Sequence, residues 1–202
     1  MNLSIIIPVY NSSRILSKLI HHLNRSINKK IIKKFEIIFI NDFSNDDSWK
    51  VIKLVAKKNK RIKGINFTKN YGQHSAIFAG LKFAKGNRII TMDDDLQHPT
   101  SSIMQIYNKL DKYELCYTLY LKRKHKFWKR AISYCNNIYS SFLFDKPFSI
   151  YHSSFRGFRS TLNKKIIKHK KNVIFLDSLL LKETKKICTI KVKHKKRPFG
   201  NS

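Results

Sequence analysis

Acidic residues are scarce in this chain: 12 Asp and Glu stand against 42 Lys and Arg in 202 residues, giving a formal net charge of +30. Such a surface attracts polyanions, whether nucleic acid, anionic lipid or phosphorylated small molecules, and charge alone does not choose among them. Much of the lysine falls on ordinary helix faces, as at Lys29, Lys30, Lys33, Lys34, Lys57, Lys58 and Lys60, where it simply keeps the surface solvated. The few acids are therefore more informative than the many bases. Cysteine is rare too: Cys116, Cys135 and Cys188 are widely spaced and include no Cys-x-x-Cys pair. That argues against structural zinc and a disulfide framework, and suits a reducing compartment. No apolar run approaches the roughly 18 residues of a membrane span. The start at Met1 lacks a basic segment followed by a long apolar one, so no secretion signal is expected. Neither Gly-x-Gly-x-x-Gly nor Gly-x-x-x-x-Gly-Lys-Ser/Thr occurs, so a bound phosphate would depend on side chains and a metal.

What is present centres on Arg88 to Pro99, which reads Arg-Ile-Ile-Thr-Met-Asp-Asp-Asp-Leu-Gln-His-Pro. Its apolar run, Ile89 to Met92, is bounded by polar residues and predicts a buried strand ending in three carboxylates. In an extended backbone Asp93 and Asp95 share a face while Asp94 points away. Like charges about 4 Å apart repel by roughly 4 kcal/mol near a protein surface, so the pair calls for a cation or open water. Oxygen ligands of this kind suit Mg2+ or Mn2+ shared with substrate phosphates. A solvated acidic turn before a helix is the other reading of the triplet by itself.

With 42% hydrophobic residues the chain can bury one large core, and a single domain is expected. Strands are predicted at residues 3–9, 35–40 and 65–67. Helices follow each: one capped by Ser12 or Ser13 with Ile15, Leu16, Leu19, Ile20 and Leu23 inward, one with Val51, Ile52 and Val55 inward, and one over residues 74–85 stopped at Gly86. Beyond Pro99 the pattern predicts a helix through Ile103, Ile106, Tyr107 and Leu110 and a strand over 114–121. A basic, aromatic helix over 122–144 follows, either lying on anionic lipid or packed on the sheet with snorkelling lysines. Residues 149–158 read as extended or looped, 161–168 and 173–183 as helical, and 187–192 as an edge strand. This strand-helix alternation predicts an α/β fold, a mostly parallel sheet flanked by helices. Ligands in such sheets sit beyond the carboxyl ends of the strands. The polar clusters Pro8 to Asn11, Asn41 to Asp46, Asn70 to His74 and Asp93 to His98 all fall there, which favours the functional reading of the triplet.

Several segments are also familiar. Ile7-Pro8-Val9-Tyr10-Asn11, Asn41-Asp42-Phe43-Ser44-Asn45-Asp46, Asn70-Tyr71-Gly72-Gln73-His74 with Ala79-Gly80, and Asp93-Asp94-Asp95-Leu96-Gln97-His98-Pro99 occur in that order. Ser154-Phe155-Arg156 and Arg197-Pro198-Phe199-Gly200-Asn201-Ser202 follow. Across nearly its whole length the chain resembles the family-2 glycosyltransferases with the Rossmann-like GT-A fold, and within them the polyprenyl-phosphate sugar transferases. The resemblance implies a nucleotide-binding half over about residues 1–112 and an acceptor-side half over about 113–202. Pro8, Tyr10, Asn11, Asp42, Asn70, Asp93 and Asp94 would bind the nucleotide. Asp93 and Asp95 would hold Mg2+ or Mn2+, with Asp95 central to catalysis, and Gln97, Arg156, Arg197 and Ser202 would face the diphosphate or acceptor phosphate. The implied partners are a nucleotide-sugar donor, a polyprenyl phosphate or glycan acceptor, and an anionic membrane surface on the cytoplasmic face.

The chain departs from the family pattern at particular positions. Ser12 stands where many relatives carry Glu and Asn41 where they often carry Asp, which leaves the nucleotide base open. Ile150 stands where relatives often carry an Asp proposed as base. A hydroxyl acceptor needs a general base within hydrogen-bond reach. A phosphate monoester, with a second pKa of about 6, is already anionic at neutral pH and attacks unaided. The missing acid therefore points to a lipid-phosphate acceptor. The alternative gives Asp177 the role of catalytic base toward a hydroxyl, against its reading as a capping or salt-bridged residue. Relatives acting on lipid carriers commonly continue past the final motif into membrane helices, which are absent here, so a shortened or inactive transferase is a further reading. A basic nucleic-acid-binding module is a separate class, but no nucleic-acid-binding signature accompanies the charge.

Overall fold

The computed structural model describes residues 1–121, 153–169 and 175–193. The basic aromatic segment 122–144, Ile150, Arg197 and Ser202 lie outside the described residues. Strands β1 (Leu3–Val9), β2 (Phe35–Asn41), β3 (Ile62–Asn66), β4 (Arg88–Thr91), β5 (Leu115–Leu121), β6 (Arg156–Arg159) and β7 (Ile187–Lys193) form one sheet in the order β3-β2-β1-β4-β6-β5-β7. β1, β2, β3 and β4 run parallel, β6 is antiparallel to both β4 and β5, and β7 returns parallel to β5 at the edge.

The alternation of side chains along the strands divides the core between two faces. Ile5, Ile7, Val9, Ile37 and Phe39 meet helices α1 (Ser13–Ser26), α2 (Ser48–Lys58) and α4 (Ile103–Lys109), the last entered by a 3-10 turn at Thr100–Ser102. Ile6, Ile38, Ile40 and Ile89 meet α3 (Gln73–Phe83), α5 (Ser160–Ile166) and α6 (Leu176–Glu183) on the other. The seven residues of β1 and of β2 are buried throughout, as strands covered on both sides require. In α1 the stripe Ile15, Leu16, Leu19 and Leu23 is buried, each side chain contributing about 1.5–3 kcal/mol relative to exposure.

Local chemistry corrects two details. α3 ends at Phe83, so Gly86 does not cap it. A Cβ on Gly86 would sit 2.4 Å from the Ser4 amide nitrogen and 2.6 Å from the Leu3 carbonyl carbon, so this glycine lets the chain cross the start of β1 at close range. Ser12 occupies the N-cap position of α1, but its hydroxyl donates to the Tyr10 carbonyl at 3.1 Å. Asp46, from the following loop, accepts the Ser13 N–H at 2.9 Å and the Ser48 N–H at 2.9 Å, joining the first turns of α1 and α2 through one carboxylate. Part of the region read as extended or looped is β6, inserted between β4 and β5.

A buried polar node ties β1 and β2 together near their amino ends, away from the carboxyl-end loops. Glu36 accepts hydrogen bonds from Ser4 Oγ at 2.6 Å, the Lys85 N–H at 2.7 Å and Lys63 Nζ at 2.5 Å. Burial would raise its pKa, but Lys63, Ser4 and Lys85 outweigh it and hold the carboxyl below its usual range.

Candidate active site

The chain order places β4 on the far side of β1 from β2 and β3, which makes β1 and β4 the point where the sheet's winding reverses. At such a point the loops leaving adjacent strands diverge and open a crevice. A cleft of about 370 Å³ lies there, lined by Pro8, Val9, Tyr10, Asp42, Asn70, Gly72, Gln73, Asp93, Asp94 and Asp95. Four of the chain's 12 acids thus share one cleft in a protein of net charge +30.

The triplet is not extended. β4 ends at Thr91, and Leu96 turns the chain with a φ of 62°, so all three carboxylates border the cleft and the expected alternation does not hold. Asp93 is the most tightly held: its Oδ1 accepts from Gln73 Nε2 at 2.6 Å, and its Oδ2 accepts from Ser154 Oγ at 2.7 Å and lies 3.1 Å from His98 Nε2. Burial pushes its pKa up, but the bond and charge of His98, with Ser154 and Arg156, bring the net shift below the usual range. Asp94 accepts the Tyr10 N–H at 3.3 Å. Burial, reinforced by the charges of Asp93 and Asp95 and opposed by Ser12 and Tyr10, raises its pKa to about 6. Asp95 Oδ1 accepts the Gln97 N–H at 3.0 Å in a local turn, and its second oxygen has no hydrogen-bond partner among the described residues.

The other loops are tied to this triplet and to one another. Asn11, with a φ of 51°, donates its N–H to Ser44 Oγ at 3.0 Å and accepts the Asn45 N–H at 2.8 Å through its side chain. Asp42 accepts the Tyr71 N–H at 2.7 Å and the Gly72 N–H at 2.8 Å, so both of its oxygens organise the loop entering α3. Asn70 Oδ1 also accepts the Gly72 N–H, at 3.1 Å, and Gly72 takes a φ of 85° that a side chain would strain. Tyr71 is left 51% exposed, its ring 5.2 Å from that of Phe67, and Tyr10, in the cleft wall, is half exposed.

Of the residues singled out from sequence, Pro8, Tyr10, Asp42, Asn70, Asp93, Asp94 and Asp95 meet around the cleft. Asn11 lies beside it in the β1–α1 loop, and Gln97 acts through its backbone on Asp95. Arg156 and Asp177 are buried together: the Arg156 guanidinium pairs with Asp177, which also accepts the Tyr117 hydroxyl at 2.7 Å. A base must reach its proton, and a 9% exposed carboxylate committed to an arginine and a tyrosine is poorly placed to do so. The isolated Asp177 that a catalytic base would require is thus replaced by an ion pair. Sequence reading missed Gln73, His98 and Ser154 as the partners of Asp93, although each stands inside a recognised segment. Ser154 reaches Asp93 because β6 pairs with β4, with Thr91 opposite Arg156 and the Thr91 hydroxyl donating to the Ser154 carbonyl at 2.8 Å.

Comparison with known proteins bears on the fold and the family. An undecaprenyl-phosphate 4-deoxy-4-formamido-L-arabinose transferase of Edwardsiella ictaluri is 30% identical over 201 residues, which cover 98% of this chain and 62% of that relative. The chain therefore spans about three fifths of the length of such relatives. S. aureus TarS, in a crystal structure of its residues 1–349, superposes with a TM-score of 0.69 at 16% identity over 96% of this chain and 59% of that one. The Pyrobaculum calidifontis mannosyltransferase PcManGT, solved with GDP-Man and Mn2+, gives 0.66 at 14% identity over 94% and 55%. At these identities the structures establish the fold, which is GT-A. The family model described as Glycosyl transferase family 2 matches residues 4–167, a span that contains every cleft-lining residue named above, and this chain belongs to that family.

Proposed function

We propose that the chain transfers a sugar from a nucleoside diphosphate to a polyprenyl phosphate, with inversion at the anomeric carbon. The observation that carries the reading is the convergence of Asp93, Asp94 and Asp95 with Pro8, Tyr10, Asp42 and Asn70 at the β1/β4 crevice. The name of the Edwardsiella relative, an undecaprenyl-phosphate transferase, supports the acceptor, and the GDP-Man and Mn2+ in PcManGT support a nucleotide-sugar donor with a divalent ion.

The donor set suits Mg2+ or Mn2+. Among the described residues no group of three or more His, Cys, Asp or Glu stands ready to hold a metal. These ions commonly take only one or two carboxylates and complete their shell with substrate phosphates and water. Asp95, whose second oxygen has no hydrogen-bond partner among the described residues, would be the principal ligand. Asp93, saturated by Gln73, Ser154 and His98, fixes the geometry of the turn and lends negative charge. Held there, such an ion would supply charge neutralisation for the leaving diphosphate.

The remaining work falls to the chain itself. Tyr10, half exposed in the cleft wall, offers a ring face for a base, and Asp42 holds the Asn70–Gly72 loop in place through the Tyr71 and Gly72 amides. The acceptor phosphate, anionic at neutral pH, supplies its own nucleophilic oxygen, so no side chain has to remove a proton. The buried state of Asp177 favours this acceptor over a sugar hydroxyl. Net charge of +30 supports residence against an anionic membrane on the cytoplasmic face, where the carrier lipid would be met. Among the described residues no helix is long and apolar enough to cross a membrane.

The test is a panel of nucleoside diphosphates with and without Mn2+, read by thermal shift, followed by transfer assays on polyprenyl phosphate and on a free glycan. Stabilisation by one diphosphate only with metal, and transfer only to the phosphate, is expected. Transfer to the glycan hydroxyl alone sinks the acceptor assignment, and no metal-dependent stabilisation by any member sinks the donor site.

A further inference from the structure

At the edge of the sheet, Cys116 on β5 and Cys188 on β7 are direct register partners in a parallel pair. Both side chains lie on the same face, Cys116 buried in the core and Cys188 partly exposed and packed against it. Partners in neighbouring strands lie about 4.7–4.9 Å apart, within the roughly 4.4–6.8 Å between Cα atoms that a disulfide spans. The Cys116 thiol donates to the Tyr117 carbonyl oxygen at 3.9 Å, and its sulfur stands beside that of Cys188 through the strand register. The neighbouring Cys116 thiol lowers the Cys188 pKa, burial opposes it, and the Lys109 cation adds to the lowering. The Cys188 sulfur beside it, with burial, shifts Cys116 upward. The accessible sulfur is thus the more readily ionised one, and the buried thiol lies against it.

We propose that Cys116 and Cys188 form a reversible disulfide within the chain under peroxide, independently of the transfer reaction. The Cys188 thiolate attacks one peroxide oxygen and the O–O bond breaks, leaving a sulfenic acid and hydroxide, which takes up a proton to become water. The Cys116 sulfur then attacks the Cys188 sulfur. The S–S bond forms as the S–O bond breaks, and the departing hydroxide leaves as water with the Cys116 proton. Two thiols lose two electrons in all, and one peroxide becomes two waters. Because β7 is the outermost strand, it can adjust to the closer approach of sulfurs that the bond requires, and a bond formed under such constraint is readily reduced.

The test uses the full chain with Cys135→Ser, which removes the third thiol, reduced and then titrated with hydrogen peroxide. Intact mass and non-reducing peptide mapping are expected to show the loss of two hydrogens and one peptide pair joined through Cys116 and Cys188, undone by dithiothreitol. Adding Cys188→Ser abolishes the joined pair, and adding Cys116→Ser leaves a sulfenic acid on Cys188 that dimedone captures. Accumulation of sulfenic or sulfinic acid on Cys188 in the parent without a joined pair, a bond between two chains instead of within one, or two thiols still titratable after peroxide would each overturn the proposal. The mapping of the parent decides the matter even if a cysteine variant fails to fold.

Discussion

Arg156 and Asp177 form a buried ion pair behind the acidic triplet, with Arg156 opposite Thr91 in the β4–β6 ladder and close enough for its charge to act on Asp93. Removing one partner of a buried pair strands the other charge in a poor solvent, at a cost of about 3–5 kcal/mol. Asp177→Asn is therefore expected to lower stability by roughly that amount in urea unfolding. The pH profile of transfer stays where it was, because Asp177 holds Arg156 and moves no proton. A profile that loses its acid limb would restore the base.

Asp95 carries the metal assignment. Loss of about 3 kcal/mol of charge stabilisation on the leaving diphosphate corresponds to about a 100-fold fall in kcat. Asp95→Asn, or chelation of the wild type with EDTA, is expected to produce at least that fall, and added Mn2+ to rescue only the chelated sample. Steady-state transfer kinetics check both.

Asp42 acts on nucleotide affinity through a loop. Asp42→Ala frees the Tyr71 and Gly72 amides and lets the Asn70–Gly72 segment loosen, so the Kd for the preferred nucleoside diphosphate rises about tenfold, equivalent to about 1.4 kcal/mol. Isothermal titration with the free diphosphate measures it. An unchanged Kd would show that this loop does not touch the nucleotide.

Gly86 predicts a purely structural loss. Its Cβ would meet backbone atoms of Ser4 and Leu3, which cannot swing aside as a side chain can. Gly86→Ala is expected to cost about 3 kcal/mol or more, at or beyond the upper end of ordinary overpacking, read as a lowered urea midpoint.

Acid stability reports on Glu36. Its folded pKa lies below the ordinary 4.5, so its contribution is fully present above that value and is lost as pH falls through the lower folded value. Stability measured from neutral pH downward therefore declines on the acid side, and Glu36→Gln makes that decline shallower while lowering the neutral plateau. Parallel curves for the two proteins would remove Glu36 from this role.

The apolar runs at residues 3–9 and 35–40, each closed by polar residues, were enough to determine buried parallel strands with ligand loops at their carboxyl ends, because only strands covered on both faces tolerate unbroken hydrophobicity. The same local signals put the polar clusters and the acidic triplet at one rim of the sheet, the family resemblance singled out Pro8, Tyr10, Asp42 and Asn70 within them, and these residues do meet. Contacts between distant segments were not legible. That Asp93 is held by Ser154, 61 positions away, depends on β6 entering the sheet beside β4, a pairing between strands whose sequences carry no mark of their neighbours. The partner of Asp177 likewise depends on packing, since a lone aspartate at the start of a helix looks the same whether it caps, catalyses or pairs. The chain's sequence determined which chemistry was available, through the types and local spacing of its residues. Tertiary structure alone decided which carboxylate is saturated, which is paired and which keeps an oxygen unengaged among the described residues, because hydrogen bonds and burial are set by what the fold brings within about 3 Å.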